Sequence, residues 1–410
     1  MKKIKLISVF LCSVLLLTSC NSNDNIGESD TQTQTSEDTV EFKFDSFSVG
    51  KTDISEYRIV YAETDFEKIS KGYRDIIYGL EGIDYDFDRL SAERIATLIK
   101  DNFGVSLEVV CDGDSEASGK EILVGQTNRK LHPESLDIDD YVVELIGDSL
   151  VICGGNYGST WHAVDHIENM IAEAKENGDA TPNFTDESGE SATYELKRIA
   201  CIGDSITIGQ KCTGDKYEYF SYPANLQRIL WRDYIVYNYG HGGKSMRDDL
   251  SQAYTKTEEY AACMANTEKY DAVLIMLGTN DSNLDHDWTD GDNKKFKSSA
   301  KRLVDALLEH SPDAKIIMMN CPAYYRVGGY HASDTVLSLQ TETAEGLYAG
   351  GYPIYLYDMR SYSRKNMGEL RFADQLHPND EGYAIMSKGV AELVRAVFEN
   401  AENKYLISLK

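Results

Sequence analysis

Short apolar runs alternate with stretches of helical periodicity through the second half of the chain. Arg198–Ile202, Tyr234–Tyr239, Ala272–Leu277, Lys315–Asn320 and Ile354–Tyr357 are runs of strand length. Between them, apolar residues recur every three or four positions, as at Phe296, Ala300, Leu303 and Leu307 in 296–309. The last such segment, Asp380–Phe398, starts after Pro378-Asn379 and repeats Tyr383, Met386, Val390, Leu393 and Val397 on one side. Strands separated by helices predict an α/β domain over 197–410, with a five-stranded parallel sheet covered on both faces. Ligands of such sheets gather at the carboxyl ends of the strands.

The first half predicts a smaller α/β domain over 41–180. A helix is expected from Glu93 to Phe103, capped by Ser91 and stopped at Gly104. Val105–Val110 and Glu121–Val124 read as strands, and Tyr141–Ile146 with Leu150–Cys153 as a hairpin turning at Gly147-Asp148-Ser149. Helical spacing resumes over Thr160–Ala172, after Gly154-Gly155. The polar stretch Asn177–Tyr194 marks the boundary, with a linker over 181–196. A length of 410 residues also favours two domains.

The N-terminus is expected to lie outside the fold. Lys2, Lys3 and Lys5 precede the mostly apolar run Leu6–Leu17, so 1–19 read as a signal peptide. Leu17-Thr18-Ser19-Cys20 resembles a bacterial lipobox, which implies lipidation of Cys20 and a membrane-anchored protein facing out of the cell. Residues 20–40 are polar and acidic, the composition of a flexible tether. A formal net charge of −27 disfavours nucleic acid and anionic headgroups as partners. Cys111, Cys153, Cys201, Cys212, Cys263 and Cys321 show no metal-finger spacing, and Cys153, Cys201 and Cys321 read as buried thiols.

Four segments carry chemistry: Gly203-Asp204-Ser205-Ile206-Thr207, Asn238-Tyr239-Gly240-His241-Gly242-Gly243, Gly278-Thr279-Asn280-Asp281 and Asp374-Gln375-Leu376-His377-Pro378. Taken singly, each reads as a turn or a helix cap. Together they supply a serine, a glycine-lined amide donor, an Asn donor and an Asp-x-x-His pair. These are a nucleophile, two oxyanion donors, a base and an orienter for the base. Ser205, Gly243 and Asn280 all fall just past a predicted strand end, and Asp281 is placed to brace its loop. Of the eight histidines, only His377 has an Asp three residues before it and a helix-starting Pro after it.

In order and spacing these blocks resemble those of the SGNH hydrolases, the serine esterases also called the GDSL family. The resemblance covers roughly 197–400 and implies a flavodoxin-like three-layer α/β/α fold. It implies Ser205 as nucleophile, His377 as base and Asp374 as orienter. The oxyanion donors would be Asn280 and the backbone N–H groups of Ser205 and Gly243. Block one reads GDSI where the family name has GDSL, a conservative change. The N-terminal unit is similar to small α/β domains that precede catalytic domains in some bacterial polysaccharide-degrading enzymes, through its EILVGQTNR run and strand-Gly-Gly-helix pattern.

These readings predict a cofactor-independent esterase that removes acetyl or other short acyl groups from carbohydrates outside the cell. His241, Trp288 and Tyr325 are candidate substrate contacts, with Tyr324 and Tyr330 beside them; loop aromatics of this kind stack on sugar rings. A thioesterase or lysophospholipase of the same family is the alternative within the enzyme class, although no long apolar lid is visible. A non-catalytic, glycan-binding surface lipoprotein is the alternative outside it.

Overall fold

The computed structural model describes residues 42–63, 86–282, 288–322 and 333–409. Its N-terminal sheet contains β1 (Arg58–Tyr61), β2 (Val109–Cys111), β3 (Glu121–Val124), β4 (Asp140–Ile146), β5 (Ser149–Gly154) and β6 (Glu190–Thr193), in the spatial order β2-β1-β3-β5-β4-β6. The pairings β2–β1, β1–β3 and β3–β5 are parallel, while β4 is antiparallel to both neighbours. The helices α1 (Phe87–Phe103) and α2 (Tyr157–Asn177) cover one face. Ile95, Ile99, Ala163, Val164 and Ile167 pack there against Ile59, Ile122, Val124 and Ile152.

α1 begins six residues before the expected Glu93, and Ser91 does not cap it. Ser91 lies inside the helix, where its hydroxyl donates to the Phe87 carbonyl at 3.2 Å. Phe87 is buried against Tyr157 and Trp231, with ring centroids 5.1 and 4.8 Å away. Packing in the folded chain thus extends the helix upstream of the residue with the better capping chemistry. Residues 181–196 join the two halves but are folded themselves. Asn183–Phe184 pairs with Ser48–Val49, β6 pairs with β4, and Phe184 is fully buried.

The five apolar runs of the second half pair as one sheet. They are β7 (Lys197–Gly203), β8 (Tyr234–Gly240), β9 (Ala272–Met276), β10 (Lys315–Met319) and β11 (Ile354–Tyr357), ordered β8-β7-β9-β10-β11 and all parallel. This is the doubly wound order in which the chain reverses direction between its first and third strands. A sixth strand, β12 (Leu406–Ile407), pairs antiparallel with β11, so the sheet is mixed rather than five-stranded and parallel. β12 is two residues long and follows a turn at Asn400, φ +53°, too short to leave a periodic signal.

Alternate residues along the strands face opposite layers. Ile199, Cys201, Leu274 and Met276 pack with Tyr222, Leu226, Tyr383 and Val390. Ala200, Ile202, Val273 and Ile275 pack with Phe296, Leu303, Leu307 and Leu339. The helices include α3 (Ser205–Ile208), α4 (Tyr222–Ile229), α5 (Glu258–Ala265), α6 (Asp290–His310), α7 (Ser333–Ala349), α8 (Met359–Asn366) and α9 (Asp380–Glu399).

The described residues between 42 and 409 form one compact unit. Where the halves meet, the Arg94 and Arg232 guanidiniums lie 4.8 and 4.0 Å from the Trp161 ring centre. His162 stacks on Tyr194 with ring centres 3.4 Å apart, and its two nitrogens lie 3.0 Å from Asp165 and 3.2 Å from Asp233. Burial opposes a charged ring, but the hydrogen bonds and charges of these two carboxylates outweigh it and raise the His162 pKa. A raised folded-state pKa contributes stability that is complete below the unfolded value and lost as pH rises through the folded one. The Tm gap between wild type and His162→Asn is therefore expected to narrow as pH rises from about 5 to about 9. A gap that stays constant over that range would show that His162 holds the junction as a neutral ring.

Candidate active site

The chain reaches the head of the second sheet at Gly203, where the close approach of α3 excludes a side chain. A Cβ there would sit 2.0 Å from Thr207 Oγ1 and 2.7 Å from the Met276 carbonyl. Asp204 caps α3 by accepting the Ile206 N–H at 3.0 Å, and Ser205 is the first helical residue, 4% exposed. α3 ends after one turn at Gly209, φ +98°, which lies against Ser221.

The fourth block folds as a closed loop. Ala373 N–H donates to the His377 carbonyl at 2.8 Å, Phe372 bridges Pro378, and Asn379 N–H donates to Arg371 at 2.9 Å. Gln375 takes a left-handed φ of +70°. The Leu376 and His377 N–H groups then both donate to Asp374 Oδ1, at 3.2 and 2.8 Å. His377 Nδ1 lies 2.9 Å from Asp374 Oδ2, and Nε2 lies 2.9 Å from Ser205 Oγ. An ionised carboxylate only accepts, so the ring proton belongs on Nδ1, and the Nε2 lone pair is free to accept from the Ser205 hydroxyl. Burial alone would raise the Asp374 pKa, but the backbone N–H groups and the His377 ring hold it below the ordinary carboxylate value.

Residues 172 positions apart are brought into register by α9. Asn379 caps this helix, Asp380 accepts the Thr213 N–H at 2.9 Å, and the Tyr383 hydroxyl donates to Gln210 at 2.8 Å. The loop just after α3 is thereby fixed to the helix that follows His377.

Asn280 stands beside the glycine loop. Its Nδ2 donates to the Lys244 carbonyl at 2.9 Å and lies 3.5 Å from Asp204 Oδ2. Gly243 has φ +74° and open space where a Cβ would be, so the backbone conformation rather than crowding calls for glycine. Asp204 and Asp281 are both fully buried, and burial pushes their carboxyls up to about 7 and about 6. Asp281 accepts the N–H groups of Met246 and Arg247 at 2.8 and 3.0 Å. The sequence offered no separate sign of these roles for Asp204, Gln375, Arg247 or Tyr383, beyond the presence of two of them inside the blocks.

Of the expected substrate contacts, His241 stands within the second block and Trp288 just before α6. His241 is partly exposed and its Nδ1 lies 2.6 Å from Glu259 on α5. Trp288 packs edge-on against Phe296 at the base of α6, 6.3 Å between ring centres. Tyr324, Tyr325 and Tyr330 lie outside the described residues, as does Cys20. Cys153, Cys201 and Cys321 are buried free thiols, and Cys212 and Cys263 are buried too.

The GDSL-like lipase/acylhydrolase family matches residues 201–385, a span that contains Ser205, Gly243, Asn280, Asp374 and His377. Residues 201–385 form a GDSL-like lipase/acylhydrolase domain. By class, such a domain is a carboxylic ester hydrolase. The chain is 27% identical over 226 residues to an acetylxylan esterase of Xylanibacter ruminicola, an alignment spanning 49% of this chain and 43% of that protein. It thus spans less than half the length of that curated relative. Among solved structures, a family two carbohydrate esterase from Clostridium thermocellum in complex with cellohexaose is 21% identical, with a TM-score of 0.40 over 52% of this chain and 68% of that one. An acetyl xylan esterase from the rumen bacterium Butyrivibrio proteoclasticus is 20% identical, with a TM-score of 0.38 over the same shares.

Proposed function

We propose that the GDSL-like domain works as a serine esterase through an acyl-enzyme, removing acetyl or other short acyl groups from carbohydrates outside the cell. The observation that carries the mechanism is the chain of contacts Asp374–His377–Ser205, with both links 2.9 Å long. Ser205 Oγ attacks the ester carbonyl while its proton passes to His377 Nε2. Asp374 holds the ring in the required tautomer and stabilises the imidazolium. Asn280 and the N–H groups of Ser205 and Gly243 receive the developing oxyanion. The imidazolium passes its proton to the departing sugar oxygen, which leaves as a hydroxyl, and water then cleaves the acyl-enzyme by the same route. The carbohydrate reading draws support from the acetylxylan esterase relative. The extracellular reading draws support from the lysine-rich apolar leader that ends at Cys20.

One experiment addresses both. The full chain, leader included, is produced in bacteria, and membrane and soluble fractions are given acetylated xylan while released acetate is measured. Acetate release is expected in the membrane fraction, moving to the soluble fraction in Cys20→Ser. Cleavage of p-nitrophenyl octanoate without any acetate release would replace the short-acyl reading with a lipase-like one. Wild-type activity found wholly in the soluble fraction would remove the anchor.

A further inference from the structure

We propose that Asp281 is a positioning residue of the oxyanion site, gripping the loop 243–247 so that Gly243 and Asn280 are aimed before substrate arrives. The inference rests on the esterase reading above. Three hydrogen bonds join the Asn280-Asp281 pair to that loop. Asn280 Nδ2 donates at 2.9 Å to the carbonyl of Lys244, the residue directly after Gly243. Met246 N–H donates to Asp281 Oδ2 at 2.8 Å, and Arg247 N–H to Oδ1 at 3.0 Å. Both carboxylate oxygens are therefore in use, on two successive N–H groups, within a fully buried setting.

The far end of the loop is fixed as well. Arg247 is 2% exposed; its guanidinium contacts Asp249 at 3.0 and 2.8 Å and Asp292 at 2.7 Å. Asp292 in turn accepts the Thr289 N–H at 3.0 Å at the start of α6. The loop is thus held between the end of β9 and the first turn of α6, which leaves Gly243 little freedom to swing. Oxyanion donors lower a barrier only if they need no reorganisation when charge develops. A carboxylate accepting two backbone N–H groups is a short, strong and directional clamp. An Asn side chain in the same place could accept with one oxygen only, and would turn an NH2 toward the second N–H.

The test uses p-nitrophenyl acetate and the full chain as wild type, Ser205→Ala, Asp281→Asn, Asn280→Ala and the double variant Asp281→Asn/Asn280→Ala. Asp281→Asn is expected to lower kcat about 100-fold with KM changed less than about threefold, the pattern of a lost transition-state interaction. The double variant is expected to lose less than the product of the two single losses, because both act through the same donors. If Asp281→Asn fails to fold by circular dichroism, Asp281→Glu is the second variant; it keeps the charge but shifts the oxygens by one methylene, and the same split in kcat is expected. A kcat within about threefold of wild type in a folded variant, or losses that simply multiply, would overturn the positioning role and leave the esterase reading standing. Wild-type turnover that does not depend on Ser205 would overturn both.

Discussion

Replacing Ser205 by alanine is expected to lower kcat for p-nitrophenyl acetate by about 10⁴-fold or more, and His377→Ala by a similar factor. The double variant should be no worse than either single one. The reason lies in the geometry. Ser205 Oγ and His377 Nε2 are 2.9 Å apart and both residues are nearly buried, so attack and proton transfer are one concerted event. Removing either partner removes the nucleophilic route as a whole, and the second deletion finds nothing left to take away. Asp374→Asn should be costly for a different reason: the amide can donate to Nδ1, which favours the tautomer with its proton on Nε2, where it blocks acceptance from Ser205. Steady-state rates, together with mass spectrometry of the chain after a fluorophosphonate probe, check these points. The probe should add to wild type at Ser205 and to Ser205→Ala nowhere. A Ser205→Ala rate above about 1% of wild type would mean that another group attacks the ester.

The contacts Asp374–His377–Ser205 were legible because their parts are local and chemically distinctive. Three blocks put a glycine or a polar pair just after an apolar strand and the fourth precedes a helix, and the strand pattern shows that strand ends converge. Asp374 and His377 are three residues apart, so a single loop decides their contact. What was not legible depends on packing between distant segments. The start of α1 is fixed by Phe87 meeting Trp231, which overrides the capping preference of Ser91. The grip of Asp281 on Met246 and Arg247 spans about 35 residues and leaves no periodic trace. β12 is too short to show a pattern. Trp288 packs on Phe296 and His241 meets Glu259, contacts that no local pattern announces. Composition and proximity place such residues near the site, while packing decides which way they point.

A second large effect is expected outside the proton relay itself, at Gly240. This residue closes β8 beside the one-turn helix that presents Ser205. A Cβ on it would lie 2.2 Å from Ile208 N, 2.7 Å from the Thr207 carbonyl carbon and 2.8 Å from Ile208 Cα. All three neighbours are backbone atoms, so no side chain can rotate to make room. α3 would have to move, and it is held on its other side by Gly203 against Thr207 and by Gly209 against Ser221. Overpacking in a well-filled core costs about 1–3 kcal/mol when side chains can yield, and more when they cannot. Gly240→Ala is therefore expected to cost roughly 3 kcal/mol or more and to lower Tm by several degrees. Activity should fall further than the unfolded fraction explains, because displacing α3 shifts Ser205 from its 2.9 Å contact with His377. Gly243→Ala is the instructive partner: open space surrounds its Cβ position, so only the strained φ of +74° opposes the change and the loss of stability should be smaller. Thermal melts of the two variants, with kcat measured well below both transitions, compare the two costs directly. Equal stability losses would show that the closeness of α3 at Gly240 costs no more than the strained φ at Gly243.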